Sequence, residues 1–88
     1  MNPDNTAHRL RYAFALMVAG DNQAALQQAE VLAAFDSTDH AFHFNLGQVF
    51  WVAGDSKRGR AHLELALLYA RDGDERRDVY EQLADFEG

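Results

Sequence analysis

The stretch His43–Asp55, HFNLGQVFWVAGD, decides the fold, because the chain carries an echo of it 34 residues upstream in Arg9–Asp21, RLRYAFALMVAGD. Val18-Ala19-Gly20-Asp21 and Val52-Ala53-Gly54-Asp55 are the same four residues. Ala7 and Ala41 open both runs, and Glu30 and Glu64 follow them at one register. Four shared residues can coincide by chance, so the apolar pattern has to agree independently. It does: Leu10, Leu16 and Met17 map onto Phe44, Phe50 and Trp51, while Leu32, Ala33 and Phe35 map onto Ala66, Leu67 and Tyr69.

A period of 34 that holds a helix, a Gly-Asp turn and a second helix is the signature of a helical-hairpin repeat. His43-x2-Leu46-Gly47-x2-Phe50, then Gly54-Asp55, Gly59-x3-Leu63 and Ala66, resembles the tetratricopeptide repeat family. The upstream copy offers Arg9, Tyr12, Ala13 and Leu16, then Gly20-Asp21, Ala25, Ala29 and Leu32. His43 and Arg9 stand where that family favours Trp, and Ser37 and Arg71 where it favours Pro. The resemblance implies an all-α fold of antiparallel helix-turn-helix repeats, five helices in one domain over residues 1–88. Repeat one covers about 6–39, repeat two about 40–73, and a capping helix about 74–87.

Composition bounds the reading. Eighty-eight residues make one small domain, and 48% hydrophobic content with 11% aromatics argues against disorder. With no cysteine, neither a disulfide framework nor a thiolate metal site is available. No apolar run approaches the ~18 residues of a membrane span, and Met1 to Asn5 is polar rather than a signal sequence. A soluble, cytoplasmic protein is expected. The net charge of −6 opposes a nucleic-acid surface, which needs a basic stripe. Lys57, Arg58 and Arg60 cluster, but Asp55 and Glu64 flank them, as on a solvated helix face. Seven of the fourteen acidic residues lie between Asp72 and Glu87, as suits a polar cap.

In chain order, Asn2-Pro3 reads as an N-cap and first helical position, opening a helix from Pro3 or Asp4 to Ala19. Gly20 accepts the left-handed backbone of a helix exit, and Asp21 or Asn22 can cap a second helix to about Phe35. The polar turn at Asp36-Ser37-Thr38-Asp39 leads into a third helix from about His40 to Ala53. A fourth follows from about Ser56 to Arg71, with Leu63, Ala66, Leu67 and Ala70 inward. Gly59 inside it points to close packing, since Gly in a helix costs roughly 1 kcal/mol relative to Ala. The last helix should set Val79, Tyr80, Leu83 and Phe86 on one side. Glu81 takes a position that the family reserves for a small residue, so no further helix is expected to follow.

Function should lie where apolar residues exceed what a hairpin can bury. On the third helix Phe42, Leu46, Val49 and Phe50 form one face, while Phe44, Gln48, Trp51 and Val52 point elsewhere. The first helix repeats this, with Tyr12, Ala13 and Leu16 on one side and Leu10, Phe14, Met17 and Val18 on the other. The resemblance implies that the first helix of each repeat lines a concave ligand surface. Carried over, that surface presents Leu10, Phe14, Met17 and Val18, then Phe44, Asn45, Gln48, Trp51 and Val52. Leu10 and Phe14 stand where members that clamp a terminal carboxylate carry Lys and Asn; only Asn45 matches, which argues against such a clamp.

The expected function is a protein–protein interaction module that takes an amphipathic helix or extended apolar segment of a protein or peptide partner, with no membrane and no nucleic acid involved. Trp51→Ala is expected to abolish capture while leaving helicity intact. One alternative is a small acidic chaperone resembling the tetratricopeptide chaperones of type III secretion; another is a self-assembling homodimer scaffold. Enzyme activity is not expected: Asp36, Ser37 and His40 are triad ingredients that a capped turn explains equally well. His40 and His43 lie one turn apart, but His8 and His62 are scattered, and zinc needs three or four ligands. No metal or other cofactor is expected.

Overall fold

The computed structural model describes residues 3–87. Five helices follow one another: α1 (Pro3–Val18), α2 (Asn22–Leu32), α3 (His40–Val52), α4 (Ser56–Leu68) and α5 (Gly73–Glu87). There is no strand among the described residues. α1 packs on α2 and α3 on α4 as antiparallel hairpins, and α5 lies against α4 and α3. The fold class is therefore the all-α arrangement of hairpins expected from the sequence. The N-cap expected at Asn2 lies outside the described residues.

The two Val-Ala-Gly-Asp copies build the same turn. Gly20 and Gly54 adopt φ of 85° and 110°, a region that L side chains enter only with strain. Asp21 N–H bonds Leu16 C=O and Gly20 N–H bonds Met17 C=O, at 2.9 and 3.0 Å. Asp55 to Phe50 and Gly54 to Trp51 repeat the pattern at 2.8 and 3.1 Å. Each pair is a Schellman closure, which satisfies carbonyls left over at the helix end. The aspartates then start the next helices: Asp21 accepts from Ala24 N–H and Asp55 from Arg58 N–H. Asp39 caps α3 in the same way through Ala41 N–H.

Helices α2 and α4 stop three residues short of the ends expected from sequence. Neither exit has a glycine; instead the last turn tightens to i→i−3 bonds, Phe35 to Leu32 at 3.0 Å and Ala70 to Leu67 at 3.3 Å.

The core divides in two, and α3 contributes to both halves. Ala13, Ala25, Ala29, Leu32, Phe42, Leu46, Val49 and Phe50 form one buried cluster between α1, α2 and α3. Leu63, Ala66 and Val79 form the other, with Phe44, Trp51, Leu67, Leu83 and Phe86 packed around them. Close packing at Gly59 is realised as a crossing with Gly47: a Cβ on Gly59 would lie 2.9 Å from Gly47 O and from Trp51 Cβ and N. Tyr12 and Tyr80 differ from expectation. They are 55% and 57% exposed, because no other described helix covers those positions on α1 and α5.

The molecule measures 32 × 31 × 18 Å. Since a helix with its side chains is about 10 Å across, the short dimension admits only two helix layers. Every helix therefore keeps one side at the surface.

Candidate interaction surface

α5 accounts for much of the apolar surplus on α3. The Trp51 ring stacks on Phe86 with centroids 4.7 Å apart and planes 14° from parallel. Phe44 packs on the same cluster, and Gln48 donates from its side-chain amide to Gln82 of α5. Phe44, Gln48 and Trp51 are thus half-buried and bonded within the chain. Val52, by contrast, is 44% exposed at the end of α3, and Val18, its equivalent on α1, is 72% exposed.

On α1, Leu10, Phe14 and Met17 are half-buried and packed against the first core cluster. Leu10 and Phe14, one turn apart, also line a hollow of about 470 Å³ between α1 and α3. Ala7, Arg11, Ala15 and Asn45 complete it. Leu10 and Asn45 continue into a second, larger hollow of about 700 Å³, walled by the α2–α3 turn with Phe35, Asp36, Ser37 and Asp39. Together they make a trough of mostly apolar lining, with Asp36 and Asp39 beside the larger hollow and Arg11 beside the smaller. The structure thus brings Leu10, Phe14 and Asn45 together in one open depression and sets Phe44, Gln48 and Trp51 on the α5 side of α3. Arg11 and Asn45 are equivalent positions 34 residues apart, a signal that could have drawn attention to Arg11. Ala15 carries no such signal.

A second group of functional-type side chains lies on the opposite side of the α3–α4 hairpin. His43, 4% exposed, places Nε2 2.7 Å from the Ser37 carbonyl and Nδ1 3.1 Å from Nδ1 of His62. A carbonyl only accepts, so His43 carries its proton on Nε2. Its Nδ1 is then the acceptor, and His62 donates from Nδ1. His62 is held neutral to about pH 4, first by burial and then by His43 and the Arg58 guanidinium. His40 is committed elsewhere, donating from Nδ1 to Ala66 C=O at 2.8 Å. His43 and His62 occupy the positions that Arg9 and Gln28 hold in the first hairpin, where Arg9 donates to the Gln28 side chain at 2.8 Å.

Asp36, Ser37 and His40 do not assemble as a triad, since the His40 ring is bonded to Ala66 on α4. Among the described residues, no three His, Cys, Asp or Glu side chains converge as a metal site would require. No described helix is long and apolar enough to cross a membrane. Comparison with protein-family models, with curated proteins and with solved structures found no match.

Proposed function

We propose that this protein is a protein–protein interaction module whose trough between α1 and α3 takes the apolar face of an amphipathic helix from a partner. The observation that carries this reading is Leu10 and Phe14, adjacent on one face of α1 and open to a hollow that no other element of the chain fills among the described residues. Its two hollows carry opposite charges in their lining, Asp36 and Asp39 in one and Arg11 in the other. The partial positive charge at a helix N-terminus suits Asp36 and Asp39, and the partial negative charge at its C-terminus suits Arg11. An occupant lying in that direction is favoured. The 34-residue register and its resemblance to tetratricopeptide repeats support the same reading, as does an acidic chain without cysteine, in keeping with a soluble cytoplasmic protein.

Affinity follows from area. If seating a helix removes about 300 Å² of apolar surface from water, the gross gain is roughly 8 kcal/mol at ~25 cal/mol per Å². Association costs of ~4–15 kcal/mol offset most of it. Binding on the order of 1 mM is expected for an isolated peptide at the low end of that cost.

Trp51→Ala does not test this reading cleanly, since it removes the ring on which α5 stacks. Leu10→Ala/Phe14→Ala does. Fluorescence anisotropy with labelled amphipathic peptides bearing Leu at i, i+3 and i+7 should give binding that the double variant weakens at least fivefold. Peptide-induced NMR shifts should map to Ala7, Leu10, Phe14, Ala15 and Asn45. Equal binding by the variant, or shifts confined to α5, would overturn the assignment.

A further inference from the structure

Three elements meet at the His43–His62 contact, and each fixes one ring. The α2–α3 turn supplies the Ser37 carbonyl that holds His43 Nε2–H. α3 carries His43, with Phe42 edge-on to the ring at 5.1 Å, and supplies Phe50, stacked on His62 at 5.3 Å. α4 supplies His62, and Tyr69 at its C-cap stacks on His43 at 5.6 Å. The side-chain hydrogen bond that joins His43, held by the turn, to α4 is therefore a single N–H···N bond between two neutral imidazoles.

That bond has a defined proton capacity. One added proton still leaves a single N–H between the two Nδ1 atoms, with one ring donating and the other accepting. A second puts an N–H on both Nδ1 atoms, and the two would then face each other across 3.1 Å. No acceptor is left between them, and two like charges are in contact.

We propose that His43 and His62 form an acid-opened latch between the α2–α3 turn and α4, closed when the pair is neutral or singly protonated and open once both rings are charged. The charged groups around the pair favour opening. Arg58 on α4, held over Phe50 by Glu30 and Asp55, adds positive charge beside His62. Asp36 and Asp39 flank Ser37 in the turn, but Asp39 is engaged with the Ala41 amide. Neither carboxylate forms a hydrogen bond or ion pair with either ring among the described residues. His40 on α3 is bonded away from the pair, to the Ala66 carbonyl. The low proton affinity of His62 agrees with this geometry.

The sign is fixed by linkage. An unfolded chain binds a proton at each histidine near pH 6.5, whereas folded His62 resists it to about pH 4. The unfolded state holds more protons in that window, so stability is complete above it and falls as pH drops from 6.5 towards 4.

His62→Gln separates the latch from mere structure. A glutamine side-chain N–H can donate to His43 Nδ1, and glutamine already stands at the equivalent position 28 of the first hairpin, but it does not titrate. Urea unfolding of both proteins at pH 7.5 and 5.0 should show the wild-type folding constant falling about tenfold further than that of the variant. In ¹⁵N NMR at pH 7.5, His43 should be the Nε2–H tautomer and His62 the Nδ1–H tautomer. On acidification, the amide signals of Ser37, Thr38 and Asp39 should move with the His62 titration. Parallel stability profiles, or a His62 midpoint near 6.5, would refute the latch. If the variant does not fold, the wild-type tautomers and midpoint decide the matter alone.

Discussion

Adding a single methyl group at Gly59 tests the hairpin crossing on which the whole arrangement depends. Two effects compete. Alanine is a better helix former than glycine by about 1 kcal/mol, so an exposed Gly→Ala change in α4 would stabilise. At this crossing, however, the new Cβ would lie 2.9 Å from Gly47 O, Trp51 Cβ and Trp51 N. Two of those three atoms are backbone, so relief requires moving α3 away from α4 by about 0.5 Å to reach ordinary contact at 3.4 Å. A gap of that size forfeits roughly a quarter of the dispersion well for each atom pair it opens. Overpacking of this kind costs about 1–3 kcal/mol, and the backbone clash places Gly59→Ala at the upper end. After the propensity gain, the net loss is about 1–2 kcal/mol. In a domain of this size each kcal/mol shifts Tm by about 4–8 °C, so thermal denaturation followed by circular dichroism should show a drop of roughly 5–15 °C. Gly73→Ala is the control, because its Cβ meets nothing within 4 Å. It should melt at or slightly above the wild type. A Gly59→Ala protein as stable as Gly73→Ala would show that α3 and α4 do not cross here.

Two further outcomes follow from the turns and from the α5 contact. Gly54→Ala should destabilise by about 1–2 kcal/mol although the space around it is empty, since the cost is a backbone at φ +110° and not a clash; chemical denaturation that leaves the midpoint unchanged would count against the Schellman turn. Phe86→Ala removes the ring stacked on the only tryptophan. It should red-shift Trp51 emission and loosen α5 by about 2 kcal/mol while α1–α4 stay folded. An unaltered emission spectrum would place Trp51 against something other than α5.

The amount of this that can be read from the chain depends on range. The repeat, the four Gly-Asp and Asp-capped helix junctions and the all-α class are local properties. Val18–Asp21 and Val52–Asp55 close their helices with bonds that span five residues or fewer, so identical tetrapeptides give identical turns. The inward face of α3 was legible for a similar reason. Phe42, Leu46, Val49 and Phe50 share one side of a helix whatever lies opposite, and all four are buried.

What covers the other side of α3 was not legible, because periodicity says that a face is apolar but does not name its neighbour. Phe44 and Trp51 read as surplus only until Phe86 and Leu83, some 35 residues later, are folded against them. The same limit hid the His43–His62 bond, which joins rings 19 residues apart on different helices. The sequence by itself determined which segments are helical, where α1 and α3 stop at their Gly-Asp turns, and that hairpins repeat, since those outcomes rest on hydrogen bonds and side-chain periodicity within a few residues. Only the tertiary structure decided that α5 closes the α3 face, that the open trough lies at α1, and that two scattered histidines share one proton. Each of those depends on how helices approach one another, and that approach is set by close contacts such as Gly47 on Gly59, between residues far apart in the chain.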